Sequence, residues 1–278
     1  MLKQRILTAI VLVPLLVAGL FYLSLPWLAL LFGAFIAAAA WEWATLSGLH
    51  RRASRLGYVA GLLLFGMLSL NLVPLHPDLV VSFLAAAALW WLWALTELFI
   101  RRDLKRGMFT AVTGKLAGGF LVLIPLWVAA VYLLAADNDR PRMLLYVFVL
   151  VWVADSAAYF AGSFLGRTKL APRVSPGKTV EGVAGGVLGV VLLAWLCGTI
   201  LWKFEGIPLA LWIGLAAVTA LFSVVGDLTE SKLKRIAGVK DSGRLLPGHG
   251  GVLDRIDALT SAVPVFALGA IFLLKFDA

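Results

Sequence analysis

Apolar stretches about as long as a bilayer is thick recur along almost the whole 278-residue chain, and no other feature restricts its possible folds so severely. A helix needs roughly 17–25 apolar residues to cross the hydrocarbon core. Nine such stretches can be read, at about 5–23, 26–48, 57–75, 79–99, 114–136, 143–165, 183–202, 207–226 and 255–275. Charged residues make up 14% of the chain and hydrophobic residues 62%, against about 25% charged in an ordinary soluble domain. A water-soluble fold of this length lacks the interior to hide that much apolar surface. The expected fold is therefore all-α, a polytopic membrane protein with about nine transmembrane helices. The first stretch follows Met1-Leu-Lys-Gln-Arg5 and has the flanks of a signal peptide. No small-x-small cleavage site follows it and it leads straight into the second stretch, so it reads as a retained anchor.

Cytoplasmic connections are enriched in Lys and Arg. With the N-terminus in the cytoplasm, all but four of the 24 lysines and arginines fall on that side. Only Arg140, Arg142, Lys203 and Lys275 fall opposite. This expectation, N-terminus cytoplasmic and C-terminus outside, also explains the net charge of +9. The excess is a topological bias, with about 1 kcal/mol of attraction to anionic head groups per basic residue near the surface. It does not point to nucleic acid. The single cysteine, Cys197, excludes an intramolecular disulfide and a cysteine zinc cluster.

The chain reads as one integral-membrane domain over 1–278 whose halves differ. Residues 1–136 are helices with few polar groups, suited to lipid contact or assembly. Trp41, Trp43, Trp90, Trp91 and Trp93 near the span ends are expected to pack or to anchor at the interface, and Glu42 to reach the head-group zone. Residues 143–278 carry two long polar connections, 166–182 and 227–254, and are the expected catalytic half. No repeat or low-complexity tract is present.

Ser231–Asp257 is basic, glycine-punctuated and carries three acids. Asp254 and Asp257 are three apart at the start of the last span, so on a helix they share a face. Asp227 ends the preceding span at the same membrane face, after Gly226. Converging carboxylates suit Mg²⁺, which takes oxygen ligands and shares its shell with substrate phosphates. Lys232, Lys234, Arg235, Lys240 and Arg244 could hold a polyphosphate. Pro247-Gly-His-Gly-Gly251 is a turn in which Gly250 and Gly251 leave backbone N–H groups open to a phosphate, with His249 inside it. Ser175-Pro-Gly-Lys-Thr-Val-Glu-Gly182 puts Ser175, Lys178, Thr179 and Glu181 just before a helix, where phosphate can bind, although the Walker spacing is missing. Asp155 lies well inside the sixth span, where a charge costs about 2.5–3.5 kcal/mol and marks a functional position.

The run from Ser231 through Lys234-Arg235, Lys240-Asp241, Gly243, Leu246-Pro247, His249-Gly250-Gly251-Val252 and Asp254-Arg255-Ile256-Asp257 resembles the signature of the phosphatidate cytidylyltransferases, also called CDP-diacylglycerol synthases. The 175–182 stretch and Asp155–Tyr159 are similar to that family too, with alanine at 157 where glycine is expected. The resemblance is strong over the C-terminal half. It implies transfer of the cytidylyl group of CTP to phosphatidic acid, giving CDP-diacylglycerol and pyrophosphate in phospholipid biosynthesis, in a bacterial-type inner membrane. It implies Mg²⁺, one ion or two, on Asp227, Asp254 and Asp257, and phosphate or nucleotide contacts from Lys178, Lys234, Arg235, Lys240, His249 and Arg255. Asp241 joins the catalytic set by its place in the signature. A homodimer is compatible with the resemblance; nucleic acid is not an expected partner.

Three other readings compete with this one. A related enzyme could activate an ether-lipid phosphate, since the chains lie among apolar residues that do not distinguish them. A CDP-alcohol phosphotransferase would show an opening Asp-Gly-x-x-Ala-Arg, which is missing. A transporter with a cytosolic gate would carry charges inside several spans, and by sequence only Asp155 clearly lies inside one.

Overall fold

The computed structural model describes residues 2–72, 77–99, 107–136, 141–245 and 250–273. Among these residues nine α-helices follow one another: α1 Leu2–Tyr22, α2 Leu25–Leu46, α3 Arg52–Leu72, α4 Pro77–Phe99, α5 Val112–Ala136, α6 Arg142–Leu165, α7 Val180–Ile200, α8 Gly206–Ile236 and α9 Leu253–Leu273. Eight of them, α2 to α9, are long and apolar enough to cross a membrane. The apolar part of α1 among the described residues is Val13–Tyr22. Helices are what lipid demands, because a backbone polar group in hydrocarbon must find its partner within its own segment.

Two connections differ from expectation. The 166–182 segment contains a small antiparallel hairpin, β1 Lys169–Ala171 and β2 Ser175–Thr179, instead of an irregular loop. The eighth span does not stop at 226. Helix α8 runs for 31 residues, roughly 46 Å at 1.5 Å per residue, and carries Asp227 to Arg235 inside it. The polar connection is thus shorter than 227–254. The helix outlasts its apolar stretch because its charged side chains have partners in neighbouring helices.

Helix α9 packs against α8, α5, α4, α6 and α2. Phe266, Val263 and Ala267 in its middle are fully buried. Helices α6 and α7 pack along a seam of small residues. A Cβ at Gly182 would stand 2.9 Å from Ala158 O, one at Gly186 2.8 Å from Ala154 O, and one at Gly189 2.8 Å from the Ala157 Cβ. Small residues let membrane helices approach closely where the hydrophobic effect gives no drive to associate. The tryptophans expected near span ends are mostly interior. Trp43 and Trp91 are buried and Trp90 nearly so, and Trp43 Nε1 donates to Lys115 O at 2.7 Å. They pack the α2–α4–α5 side, and Trp90 stacks on Trp91.

Replacing Gly186 by Val should drive α6 and α7 apart and lower stability by about 1–3 kcal/mol, the usual cost of overpacking. Gly214, with open space around it, should accept Ala with a gain of up to about 1 kcal/mol. Thermal unfolding in detergent should show a lower Tm for the first variant and an unchanged or higher Tm for the second. Equal Tm values would contradict the seam.

Candidate active site

The hairpin and the first turn of α7 are fixed by capping. Thr179 precedes α7, and its side chain accepts the Gly182 N–H at 3.1 Å. Glu181 accepts the backbone N–H groups of Arg167 and Thr168, each at 3.1 Å. Glu181 therefore holds the start of the hairpin against the start of α7. Arg235, at the end of α8, donates from Nε to Val174 O at 3.2 Å and ties the hairpin tip to that helix. These contacts aim Lys178 at α8.

The Lys178 Nζ lies 2.7 Å from Asp227 Oδ2, with both side chains about a quarter exposed. Ser231, one turn on, donates from Oγ to Asp227 Oδ1 at 3.2 Å. The pair stands at the polar end of a cavity of about 450 Å³ between α6, α7 and α8. Asp155, Ser175 and Thr179 join it there, while Val183, Val187, Ala220 and Val224 form apolar walls. Sequence reasoning placed Asp155, Ser175, Lys178 and Asp227 in the site, and the fold brings all four into this cavity.

Behind the cavity a second polar group runs across to α9. Lys234 Nζ sits 2.7 Å from Asp254 Oδ1 and 3.4 Å from Glu230 Oε2. Glu230 faces Asp257, and Asp257 is close enough to Asp227 to feel its charge. Asp254 Oδ2 accepts the Ser242 N–H at 2.9 Å, the Ser242 Oγ–H at 2.9 Å and the Gly251 N–H at 2.8 Å. Both oxygens of Asp254 are therefore taken by protein donors.

The bases of the signature do not gather round one point as expected. Lys232 turns the other way, to Glu97 in α4, and donates to Glu97 O at 3.0 Å. Lys240, Asp241 and Arg244 are exposed in the connection after α8, and Arg255 is exposed on the first turn of α9. Lys178 is the one base among the described residues lining the cavity. His249, with Leu246, Pro247 and Gly248, lies outside the described residues. The backbone N–H of Gly251 is engaged by Asp254, and a Cβ at Gly250 would stand 2.8 Å from Asp254 Oδ2. These two glycines face a carboxylate in this structure.

Three residues of the polar group escaped sequence reasoning: Glu230, Ser242 and Glu42. Glu230 is 2% exposed. Its signal was its spacing, three residues after Asp227 and four before Lys234, which matters once that stretch is read as helix. Glu42 does not reach the head groups. It is buried, and accepts from Ser242 Oγ and from the backbone of Val252 and Leu253. Charge inside the spans is thus not confined to Asp155: Glu42, Glu97, Glu230, Lys232 and Lys234 are all buried.

A family model described as "Cytidylyltransferase family" matches residues 3–273. The chain belongs to that family. It is 44% identical to the phosphatidate cytidylyltransferase of Pseudomonas aeruginosa over 96% of both chains. It is 40% identical to that of Haemophilus influenzae, over 99% of this chain and 100% of the other. A Thermotoga maritima relative of the same name is 36% identical over 95% of this chain and 94% of its own. A cytidylyltransferase is a nucleotidyltransferase enzyme, and family membership favours that reading over the transporter.

The expected Mg²⁺ can be tested against these side chains. Among the described residues, no three Asp, Glu, His or Cys side chains stand close enough to hold a cation by themselves. Mg²⁺ usually takes one or two carboxylates and completes its shell with water and substrate phosphates. Asp227, with Asp257 behind it, fits that smaller role. Asp254, which accepts from Lys234, Ser242 and Gly251, is more heavily engaged than Asp227, which accepts from Lys178 and Ser231.

The two ion pairs should respond differently to loss of their cation. Lys178→Met should change stability by no more than about 1 kcal/mol, because the pair it breaks is partly solvated. Lys234→Met leaves Glu230 and Asp254 buried without a cation and should cost about 3–5 kcal/mol. Chemical denaturation in mixed micelles compares them, and a Lys234→Met protein as stable as Lys178→Met would contradict the buried network.

Proposed function

We propose that the protein transfers the cytidylyl group of CTP to phosphatidic acid, giving CDP-diacylglycerol and pyrophosphate. One observation carries this reading: a cavity within the helix bundle has apolar walls and ends at Lys178, Asp155 and Asp227. Such a cavity suits a molecule that is hydrocarbon at one end and phosphate at the other. Membership of the cytidylyltransferase family and relatives named phosphatidate cytidylyltransferase support it.

In this reading an oxygen of the lipid phosphate attacks the α-phosphorus of CTP. The new P–O bond forms as the bond to the oxygen bridging the α- and β-phosphorus breaks, and pyrophosphate leaves with that electron pair. The lipid phosphate is already ionised near neutral pH, so no strong base is needed. Such transfers depend on positioning and on neutralising charge. Lys178, held by the capped hairpin, supplies a cation at the cavity's polar end, with the Ser175 and Thr179 hydroxyls beside it. Lys240, Asp241 and Arg255 lie on the exposed side, toward arriving nucleotide. A Mg²⁺ ion on Asp227 and Asp257 would neutralise charge on the nucleotide phosphates and on the departing pyrophosphate. The site faces the cytoplasm of a bacterial inner membrane, where CTP is available and to which the Lys and Arg bias assigns the 166–182 segment and the connection between α8 and α9.

Purified protein in proteoliposomes, given α-labelled CTP, Mg²⁺ and phosphatidic acid, should form labelled CDP-diacylglycerol and release one pyrophosphate per lipid. Lys178→Ala should lower kcat/KM by roughly a hundredfold, as loss of a transition-state donor does. Absence of labelled lipid, or faster use of an ether-linked phosphate lipid, would contradict the substrate assignment.

A further inference from the structure

Glu42 lies in α2, far from the cavity in sequence and in none of the motifs, yet it holds the chain that closes the polar group. It is 3% exposed. Its Oε1 accepts the Val252 N–H at 3.1 Å, and its Oε2 accepts the Leu253 N–H at 2.8 Å and the Ser242 Oγ–H at 3.0 Å. Two of the donors come from the connection between α8 and α9, and the third is the first residue of α9. Among the described residues no cation pairs with this carboxylate. It is held by hydrogen bonds and by the N-terminus of α9, whose partial positive charge favours an anion.

The surrounding chain is shaped to the carboxylate. A Cβ at Gly243 would collide with Glu42 Oε1, and one at Gly251 with Glu42 Oε2 and the Ser242 hydroxyl. Two glycines of the signature therefore leave room for a side chain contributed by the other half of the protein. Ser242 Oγ stands between Glu42 Oε2 and Asp254 Oδ2, at 3.0 and 2.9 Å. From Asp254 the contacts continue through Lys234 to Glu230, which faces Asp257. The first two turns of α9 carry Asp254 and Asp257. Whatever fixes the start of that helix fixes where Asp257 stands relative to Asp227.

We propose that Glu42 is a positioning residue for cytidylyl transfer. It caps α9 from another helix and so sets the place of Asp257 beside Asp227. The proposal rests on the reaction assigned above. It does not give Glu42 any contact with substrate, so its loss should slow turnover while leaving substrate binding largely in place.

The test uses full-length protein in proteoliposomes. In Glu42→Gln the volume is kept, but an amide N–H₂ faces backbone donors and the charge is lost. Turnover should fall roughly ten- to a hundredfold, the scale of an error of about 1 Å in placement, with KM for CTP and for phosphatidic acid within about threefold of the wild type. Ser242→Ala, which removes one donor and keeps Glu42, should show the same pattern to a smaller degree. Amide hydrogen exchange read by mass spectrometry should rise in peptides covering 242–257 and stay unchanged in those from α6 and α7. Unchanged kcat in Glu42→Gln with faster exchange would show that the cap is made but irrelevant to the reaction, and would overturn the proposal. So would exchange unchanged in both variants, or a loss confined to KM. An inactive wild-type protein would overturn the reaction and this role together, whereas an active wild type with an equally active Glu42→Gln would overturn the role alone.

Discussion

A carboxylate or ammonium carried into a bilayer on a helix must bring a partner with it, and most of this structure follows from that requirement. Helix α8 holds five ionisable residues from Asp227 to Arg235 and remains helical because they find partners in the hairpin, α4 and α9. Asp227 meets Lys178 of the hairpin, Lys232 meets Glu97 of α4, Lys234 meets Asp254 of α9, and Arg235 meets the Val174 carbonyl. Burying one charge alone costs several kcal/mol, and breaking a buried pair costs about as much. The pairs therefore specify how α4, the hairpin and α9 are arranged around α8.

The same arrangement separates two tasks. Lys178 and Asp227 are partly exposed and border the cavity, where a substrate phosphate can compete for them. Lys234, Glu230 and Asp254 are buried behind, engaged with one another and with the backbone of the connection to α9. The first set is available for chemistry. The second joins α8 to the start of α9. Asp254, by its position in the signature an obvious metal ligand, belongs by its hydrogen bonds to the second set.

The amino-acid pattern made much of this legible. Apolar stretches of bilayer length locate α2 to α9, and the polar residues that accompany the signature, Asp155, Lys178 and Asp227, share one cavity. What escaped the reading did so for physical reasons. Hydropathy ends the eighth span at Gly226 because it counts charges without knowing that they are paired, and the ten further helical residues depend on partners in three other elements. Glu42 looked like a residue bound for the head groups because its three donors lie about 200 residues away in the chain. The tryptophans looked interfacial by position along their spans, whereas their burial depends on which face of each helix meets its neighbours. The hairpin at 169–179 carries no hydropathy signal, and its order comes from Glu181, Thr179 and Arg235.

The central claim is that Lys178 and Asp227 act as one unit at the polar end of the cavity. A double-mutant cycle on kcat/KM, with Lys178→Met, Asp227→Asn and the two combined, tests it most directly. Residues acting as a unit lose their function together, so the double variant should be about as slow as the slower single variant. Losses that multiply, each substitution lowering the rate independently of the other, would contradict the account.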